Sequence, residues 1–131
     1  MVEHKPIPAE TERLAKETID AAFKVHKYLG PGLLESVYEA CLAHELRQRG
    51  ITVDTQVALP VVYKDIHLDA GLCLDMLVAD CVVVELKVAE QMKTLFEAQL
   101  LTYLKLSGRR LGLLVNFNVP LIKDGIKRVV L

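Results

Sequence analysis

The sequence has no uncharged apolar run long enough to cross a bilayer. Its most apolar stretch, residues 70–88, is interrupted by four charged side chains, Asp75, Asp80, Glu85 and Lys87. A spanning helix needs about 20 mostly apolar residues in a row. Residues 1–6 also contain no apolar signal region. We therefore expect a protein that does not enter a membrane and that stays in the cytoplasm, where it is made.

Cysteine and histidine are too scattered to predict a disulfide framework or a zinc site. The three cysteines, Cys41, Cys73 and Cys81, form no C-x-x-C pair, and no H-E-x-x-H motif occurs. This usage is typical of reduced, semi-buried thiols in an intracellular protein. Cys41 and His44 are three residues apart on a predicted helix, but two ligands do not make a zinc site.

The chain carries almost no net charge, because 16 basic residues face 17 acidic ones. This argues against a protein that coats nucleic acid by charge alone. The distribution is uneven, since residues 51–104 carry 3 basic and 8 acidic groups and residues 105–131 carry 6 basic groups and 1 acidic group. An acid-rich middle beside a basic tail is compatible with a metal site next to a phosphate-binding surface. By count alone, solvated surface charge is the simpler interpretation.

Length and composition fit one globular domain. The 131 residues are 52% apolar, which is enough to bury a core and too apolar for a disordered chain. We expect a single domain over residues 1–131, with residues 1–8 as a loose arm.

Hydrophobic periodicity predicts the element order α-α-β-β-β-α-β. Helical spacing of apolar residues covers 9–29, 34–49 and 95–106, and the motif Gly30-Pro31-Gly32 ends the first helix. Strand patterns cover 52–63, 68–78, 81–88 and 110–117, with a turn at 64–67 and a short further strand after Lys127. Successive strands followed by a helical crossover imply an α/β fold with a mixed central sheet flanked by helices.

The strand at 81–88 is unusual because two charges follow a run of valines typical of a fully buried strand. Glu85 and Lys87 are two residues apart and share one face, roughly 6.5–7 Å apart along the strand. The preceding strand carries Asp75 among apolar neighbours. A buried charge is costly unless it is paired or bound to a metal.

The loop between these two strands decides whether Asp75 and Glu85 meet. A two-residue loop at 79–80 would put the carboxylates on opposite faces of the sheet. A three-residue loop at 79–81 would place them opposite each other, about 4.5–5.5 Å apart at Cβ. Asp80 tolerates the left-handed conformation that the longer loop needs.

Two carboxylates so close would repel, and a divalent cation is their natural counter-charge. The alternative is a plain ion pair between Glu85 and Lys87, with Asp75 at a sheet edge. The apolar setting of both strands favours the cation site.

Several motifs in the chain resemble those of one enzyme superfamily. They are Asp75 with Glu85-Leu86-Lys87, Gly32-Leu33-Leu34-Glu35-Ser36-Val37-Tyr38, Gln99-Leu100-Leu101-Thr102-Tyr103, residues 114–120 and residues 123–128. In this order they resemble the PD-(D/E)XK nucleases and, within them, the small GxxExxY family. The resemblance runs from about Leu14 to the C-terminus and implies a restriction-endonuclease-like core.

The resemblance implies a metal centre. Asp75 and Glu85 would bind Mg²⁺ or Mn²⁺, with the backbone carbonyl of Leu86 as a further ligand. Glu35 would hold a metal-bound water or complete the ligand shell. Read without the resemblance, Glu35 could simply complement the positive N-terminus of its helix.

The resemblance also implies roles for three further residues. Lys87 would orient or help deprotonate the attacking water and stabilise charge on the phosphate. Gln99 and Tyr103 would line the site and steady the nucleic-acid strand, although they could also be a polar pair that satisfies itself. One position departs from the family pattern, because Cys73 stands where we expect an arginine, two residues before Asp75.

The leading hypothesis is a metal-dependent nuclease that hydrolyses phosphodiester bonds. Nucleic acid, DNA in preference to RNA, is the expected partner, and a homodimer is expected because a chain this small has little surface to hold a duplex. The alternative is a catalytically weak or inactive nuclease-fold module that acts in binding or assembly with a partner. A small-molecule enzyme is a third reading, for which no nucleotide fingerprint or nucleophile motif is present.

Overall fold

The computed structural model describes residues 5–69 and 71–131, which form an α/β fold of three α-helices and seven strands. Their bounds in chain order are α1 Ala9–Leu29, α2 Glu35–Gln48, β1 Val53–Ala58, β2 Val61–Tyr63, β3 Ile66–Leu68, β4 Cys73–Val78, β5 Val82–Lys87, α3 Thr94–Ser107, β6 Leu111–Asn116 and β7 Ile126–Val130. A short 3₁₀ helix, Ile122–Gly125, precedes β7. The predicted α/β class and the three predicted helices are confirmed.

Five of the strands form one mixed sheet in the order β1-β4-β5-β6-β7. Strands β5 and β6 are parallel and are joined by α3, whereas the other neighbours are antiparallel. One face of the sheet packs on α1 and α2, and the other face packs on α3. Because β5 and β6 are parallel, the segments that follow both strands leave the sheet at the same edge.

The central strand is buried on both faces, as its valine run predicts. All residues from Val82 to Leu86 are buried, and Val82, Val83 and Val84 are fully inaccessible. Two hydrophobic clusters, one on each face, therefore enclose β5. Among the described residues, no helix is long and apolar enough to cross a membrane.

Two of the predicted strands are each divided in two. The pattern at 52–63 breaks at Pro60, which has no backbone N–H to donate to a ladder. The pattern at 68–78 breaks before β4, where Gly71 has a φ of +110°. The pieces β2 and β3 pair only with each other in a separate hairpin, and its turn is Lys64-Asp65 instead of the predicted 64–67.

The loop between β4 and β5 has three residues, which is the longer of the two loops considered. The register pairs Val78 with Val82 and Met76 with Val84. Ala79 and Asp80 take left-handed φ values of 47° and 60°. Arg109 supports this loop by donating to the Asp80 carbonyl at 2.8 Å.

Most of the basic tail is engaged in contacts of its own. Three of its residues form ion pairs with distant acids, Arg109 with Asp80, Lys127 with Glu97 and Arg128 with Glu12. A fourth, Arg110, donates to the carbonyls of Lys5 and Pro6 and so holds the described part of the N-terminal arm; residues 1–4 lie outside the described residues. Four of the six basic residues of the tail are therefore engaged within the protein, so surface charge, the simpler interpretation, accounts for most of the tail.

Candidate active site

Asp75 and Glu85 lie side by side at the end of the β4–β5 ladder. The register pairs stop at Met76 and Val84. Beyond them, the backbone N–H of Asp75 donates to Glu85 Oε1 at 3.2 Å, and the backbone N–H of Leu86 donates to Asp75 Oδ2 at 2.8 Å. The two carboxylates thus take the place of ladder carbonyls and hold the strands together through side chains.

A local rotation of β4 accounts for this arrangement. Leu74 packs in the cluster against α3, whereas Met76 packs in the cluster against α1 and α2, although two residues of the same parity share a face in a regular strand. The neighbouring residue of β1, Gln56, has a left-handed φ of 51°, and the β1–β4 ladder skips the pair Gln56–Asp75. The strands therefore turn over at Asp75, which brings its side chain towards Glu85.

The electrostatics of the pair are strained. Burial raises the pKa of the Glu85 carboxyl from 4.5 to about 8, and the negative charge of Asp75 acts in the same direction. The hydrogen bond from the Asp75 N–H and the positive charge of Lys87 oppose the shift but do not cancel it. Without a further positive charge, the protein therefore favours a protonated Glu85.

Lys87 is held away from a direct ion pair with Glu85. Its ammonium donates to Gln99 Oε1 at 3.3 Å and lies 4.8 Å from the centre of the Phe96 ring. Gln99 Nε2 in turn donates to the Tyr103 hydroxyl at 3.0 Å. The plain Glu85–Lys87 ion pair is therefore not what the structure contains. Asp75 is also not at a sheet edge, since β4 lies between β1 and β5.

The pair of Gln99 and Tyr103 on α3 therefore positions Lys87 from the other side of the cleft. Tyr103 is largely buried, and burial together with the charge of Glu85 raises the pKa of its hydroxyl. Glu85 and Lys87 of β5 therefore lie close to Gln99 and Tyr103 of α3. A separate concavity of about 440 Å³ is lined by Phe96 together with Glu90 and Lys93 of the segment between β5 and α3.

Glu35 is nearby but does not join the carboxylate pair. It is the first residue of α2 and is exposed. Burial of its carboxyl and the charge of Asp75 raise its pKa, while Lys87 lowers it. Among the described residues, no group of three or more acidic, histidine or cysteine side chains is arranged to hold a metal ion. The side chains as they stand thus bring two of the three predicted acids together.

Tyr38 fixes the segment from which Glu35 projects. Its ring is fully buried and stacks on Phe117 at a centroid distance of 4.4 Å. Its hydroxyl donates to the Gly30 carbonyl at 2.6 Å and accepts from the Leu33 N–H at 3.1 Å. The tyrosine of the G-x-x-E-x-x-Y motif is thus a core residue whose polar end holds the loop before α2.

A three-residue loop would place Cys73 opposite Lys87 if the β4–β5 ladder continued, but the ladder ends at Met76 and Val84. Since the β4–β5 ladder ends earlier, Cys73 pairs only with Ala58 of β1 and is exposed, not semi-buried. Its thiol lies 3.6 Å from Gln56 Oε1, and Gln56 Nε2 donates to the Glu39 carboxylate at 3.1 Å. Cys73 therefore flanks the site on the side of β1.

Asn116 lies in the motif at 114–120, but the sequence reasoning assigned it no role. It is fully buried at the end of β6. Its side chain accepts from the Ala89 and Asn118 N–H groups and donates to the Ala89 carbonyl at 2.9 Å. A polar residue that directly follows the apolar run of β6 is the signal that could have indicated this role. It holds together the segments that leave β5 and β6 beside Lys87.

The donor set suits a hard divalent cation. Asp75 and Glu85 present carboxylate oxygens, and Leu86 adds a backbone carbonyl in the same strand, which are the ligands that Mg²⁺ and Mn²⁺ take in proteins. A cation would also offset the repulsion that raises the pKa of Glu85. The residues present therefore fit such a metal.

An α/β core with acids at the end of a strand pair and a lysine two residues further on defines a class of nuclease folds. The family model for the PD-(D/E)XK nuclease superfamily matches residues 12–129. The chain belongs to this superfamily, whose members generally use divalent metals and act on nucleic acid. Searches of curated proteins and of solved structures found no match.

Proposed function

We propose that this chain is a divalent-metal-dependent nuclease of the GxxExxY branch that hydrolyses phosphodiester bonds. The observation that carries the proposal is the hydrogen-bonded arrangement of Asp75 and Glu85 beside Lys87, which donates to Gln99 and not to either carboxylate. A purely structural role would leave Lys87 paired with the nearest carboxylate. Here its ammonium points at a neutral amide instead, so its charge remains available to a phosphate.

The metal, Mg²⁺ or Mn²⁺, would be held by Asp75, Glu85 and the Leu86 carbonyl, with Glu35 closing the shell through water. When bound, such an ion polarises a phosphoryl oxygen and lowers the pKa of water. Lys87 orients the attacking water and stabilises charge on the phosphate. Gln99 fixes the Lys87 ammonium, and Tyr103 fixes Gln99. The protein thereby contributes a positioned charge at a partly buried site.

We further propose DNA as the preferred nucleic acid, a cytoplasmic location and a homodimer. The chain is near neutral, with 16 basic and 17 acidic residues, and three basic residues of the tail are in addition paired with acids. A near-neutral monomer holds a long duplex weakly, since affinity for nucleic acid comes mainly from phosphate neutralisation. Two copies would double the contacts available to one substrate.

One observation favours a second function, a binding or assembly module with little activity. The position two residues before Asp75 holds an exposed cysteine in place of the expected arginine. A positive charge near the scissile phosphate is then missing, and this would lower the rate more than the affinity.

Cleavage assays with labelled DNA and RNA, single- and double-stranded, separate the two functions. Wild type is titrated with Mg²⁺ and Mn²⁺ beside Lys87→Ala, with Lys105→Ala as a control that removes an exposed lysine in the last turn of α3. We expect wild type and Lys105→Ala to cleave and Lys87→Ala to lose at least about 100-fold in rate. Binding without cleavage by wild type at any metal concentration would establish the module instead.

A further inference from the structure

The C-terminal half of α1 exposes two aromatic and two basic side chains. Phe23 is 40% exposed and Tyr28 is 90% exposed, and Lys24 and Lys27 are exposed between them. Lys123, at the start of the 3₁₀ helix, lies on the same surface and lines the same concavity as Lys24 and Lys27. We define these five residues as the α1 patch.

The lysines of the α1 patch, which include Lys123 of the basic tail, have no acidic partners within the described part of the chain, unlike Arg109, Lys127 and Arg128. Among the described residues, the ion pairs of the chain involve arginines and Lys127, and none involves Lys24, Lys27 or Lys123. Lys27, in the last turn of α1, also complements the negative end of that helix. This explanation does not extend to Lys24 or to Lys123, which lies on another element.

A shaped depression lies beside Phe23, Lys24, Lys27 and Lys123. Tyr28 lies outside it and, with Lys24, lines the adjoining groove between α1 and α2. The depression has a volume of about 490 Å³, and its walls come from α1, the turn at Gly30-Pro31 and residues 120–123. His26 joins two of these walls through a hydrogen bond of 2.8 Å between its Nε2 and the Val119 carbonyl oxygen. The depression has an apolar floor and lysines on its rim, which matches a ligand with flat apolar faces and a negative backbone.

The α1 patch lies at the same edge of the sheet as the carboxylate pair. Residues 117–123 follow the end of β6, and Glu85 and Lys87 lie at the end of the parallel strand β5. The turn that lines the depression is also the segment that the Tyr38 hydroxyl ties down just before Glu35. The patch and the site are therefore connected by a fixed segment and not by a free loop.

We propose that the α1 patch is a binding site for single-stranded nucleic acid, lying outside the catalytic site and extending its grip on the substrate. Exposed aromatic rings stack on successive bases, and flanking lysines neutralise the phosphates between them. In a duplex the bases are already stacked on one another, so the Tyr28 ring would find few exposed bases to stack on. This inference names the substrate class and rests on the proposed function.

Binding is measured by fluorescence anisotropy with a labelled 12-nucleotide oligo(dT) and a 12-base-pair duplex, in EDTA so that no cleavage occurs. The variants are Tyr28→Ala and the double change Lys24→Ala with Lys27→Ala. Lys105→Ala is the matched control, because Lys105 is an exposed lysine in the last turn of α3, at the opposite edge of the sheet.

We expect Tyr28→Ala to weaken binding of the single strand at least about fivefold. The double lysine variant should reduce the slope of log affinity against log salt by about 1.4, since each lost phosphate contact removes about 0.7 for a single strand. Lys105→Ala should leave both quantities as in wild type. Equal affinities for all variants, or a preference for the duplex that Tyr28→Ala does not alter, would overturn the proposal.

Two further outcomes separate this inference from the proposed function. Loss of binding in the patch variants without cleavage by wild type in Mg²⁺ would support the patch and refute the nuclease. Normal binding in the patch variants with cleavage by wild type would do the reverse. If Tyr28→Ala instead turns a dimer into a monomer in light scattering, the patch is an interface between copies and the proposal fails.

Discussion

Asp75 and Glu85 each hold the strand of the other, since Glu85 Oε1 accepts the Asp75 N–H at 3.2 Å and Asp75 Oδ2 accepts an N–H from β5 at 2.8 Å. These bonds hold two acidic side chains together at a place where the sheet would otherwise use carbonyls, and the charge of Asp75 disfavours a second charge on Glu85. A fold that only needed a sheet would gain nothing from this arrangement. A cation would relieve the repulsion between the two carboxylates. The predictions on pH dependence and on metal binding test this repulsion.

The metal-free protein should lose stability as the pH rises from about 5 to about 8. The pKa of Glu85 is raised to about 8 in the folded protein from 4.5, so the native state binds the extra proton in this window. Protonated Glu85 contributes fully to the free energy of unfolding below the pKa of the unfolded state. This contribution falls by up to about 1.4 kcal/mol per pH unit until the pH passes the pKa of the folded state. Urea unfolding in EDTA measures it.

Glu85→Gln should flatten this part of the pH profile, because glutamine keeps an acceptor for the Asp75 N–H and does not titrate. Glu90→Gln is the control, since Glu90 is exposed in the loop after β5. A wild-type profile that rises with pH over this range would contradict the strained pair.

Gln99→Leu should lower cleavage roughly 10- to 100-fold with little change in melting temperature. Leucine has a similar size but cannot accept the hydrogen bond that holds the Lys87 ammonium, and residues that orient catalytic groups have effects of about this size. The loss should fall on kcat more than on KM. Thr102→Val on the same helix is the control, because its hydroxyl bonds only to its own helix at the Ala98 carbonyl. Equal losses in both variants would mean that α3 is merely disturbed.

Tyr38→Phe should destabilise the protein by about 1–2 kcal/mol, since the Gly30 carbonyl and the Leu33 N–H lose their shared partner while the ring stacking on Phe117 remains. Because the loop before Glu35 is then less fixed, metal affinity should fall as well. Chemical denaturation and metal titration test the two effects. Tyr63→Phe, on the exposed hairpin, should change neither.

The protein should be a dimer in solution. Strand β7 is an edge of the five-stranded sheet, and Val130 and Leu131 are exposed beside it, so a second copy could cover an otherwise open edge. Light scattering at micromolar concentration tests this, with Val130→Lys expected to weaken the association. A wild-type monomer would count against it.

The fold and the proximity of Asp75 to Glu85 were predictable because they depend on local patterns in the sequence. The valine run marks β5, the glycine-proline turn ends α1, and a loop of three residues suffices to align Asp75 with Glu85. The charges decided which loop was favoured, and the register confirms that choice.

The rest depended on long-range partners that no local pattern shows. The rotation of β4 at Asp75 rests on a left-handed residue in another strand, Gln56. The basic tail is neutralised by acids from all over the chain. The position of Glu35 depends on the loop before α2, which the Tyr38 hydroxyl fixes through hydrogen bonds to Gly30 and Leu33.

The central claim is that Asp75 and Glu85 form one divalent-cation site, and melting curves of wild type and Asp75→Asn with and without Mg²⁺ or Mn²⁺ test it most directly. Asn keeps an oxygen for the Leu86 N–H but removes one charge, so the variant should be more stable than wild type in EDTA. Asp54→Asn, an exposed change on β1, is the control. With metal at a hundredfold excess over Kd, wild type and the control should gain about 2.7 kcal/mol and Asp75→Asn should gain nothing. Equal gains in all three proteins would contradict the claim, because the cation would then bind elsewhere.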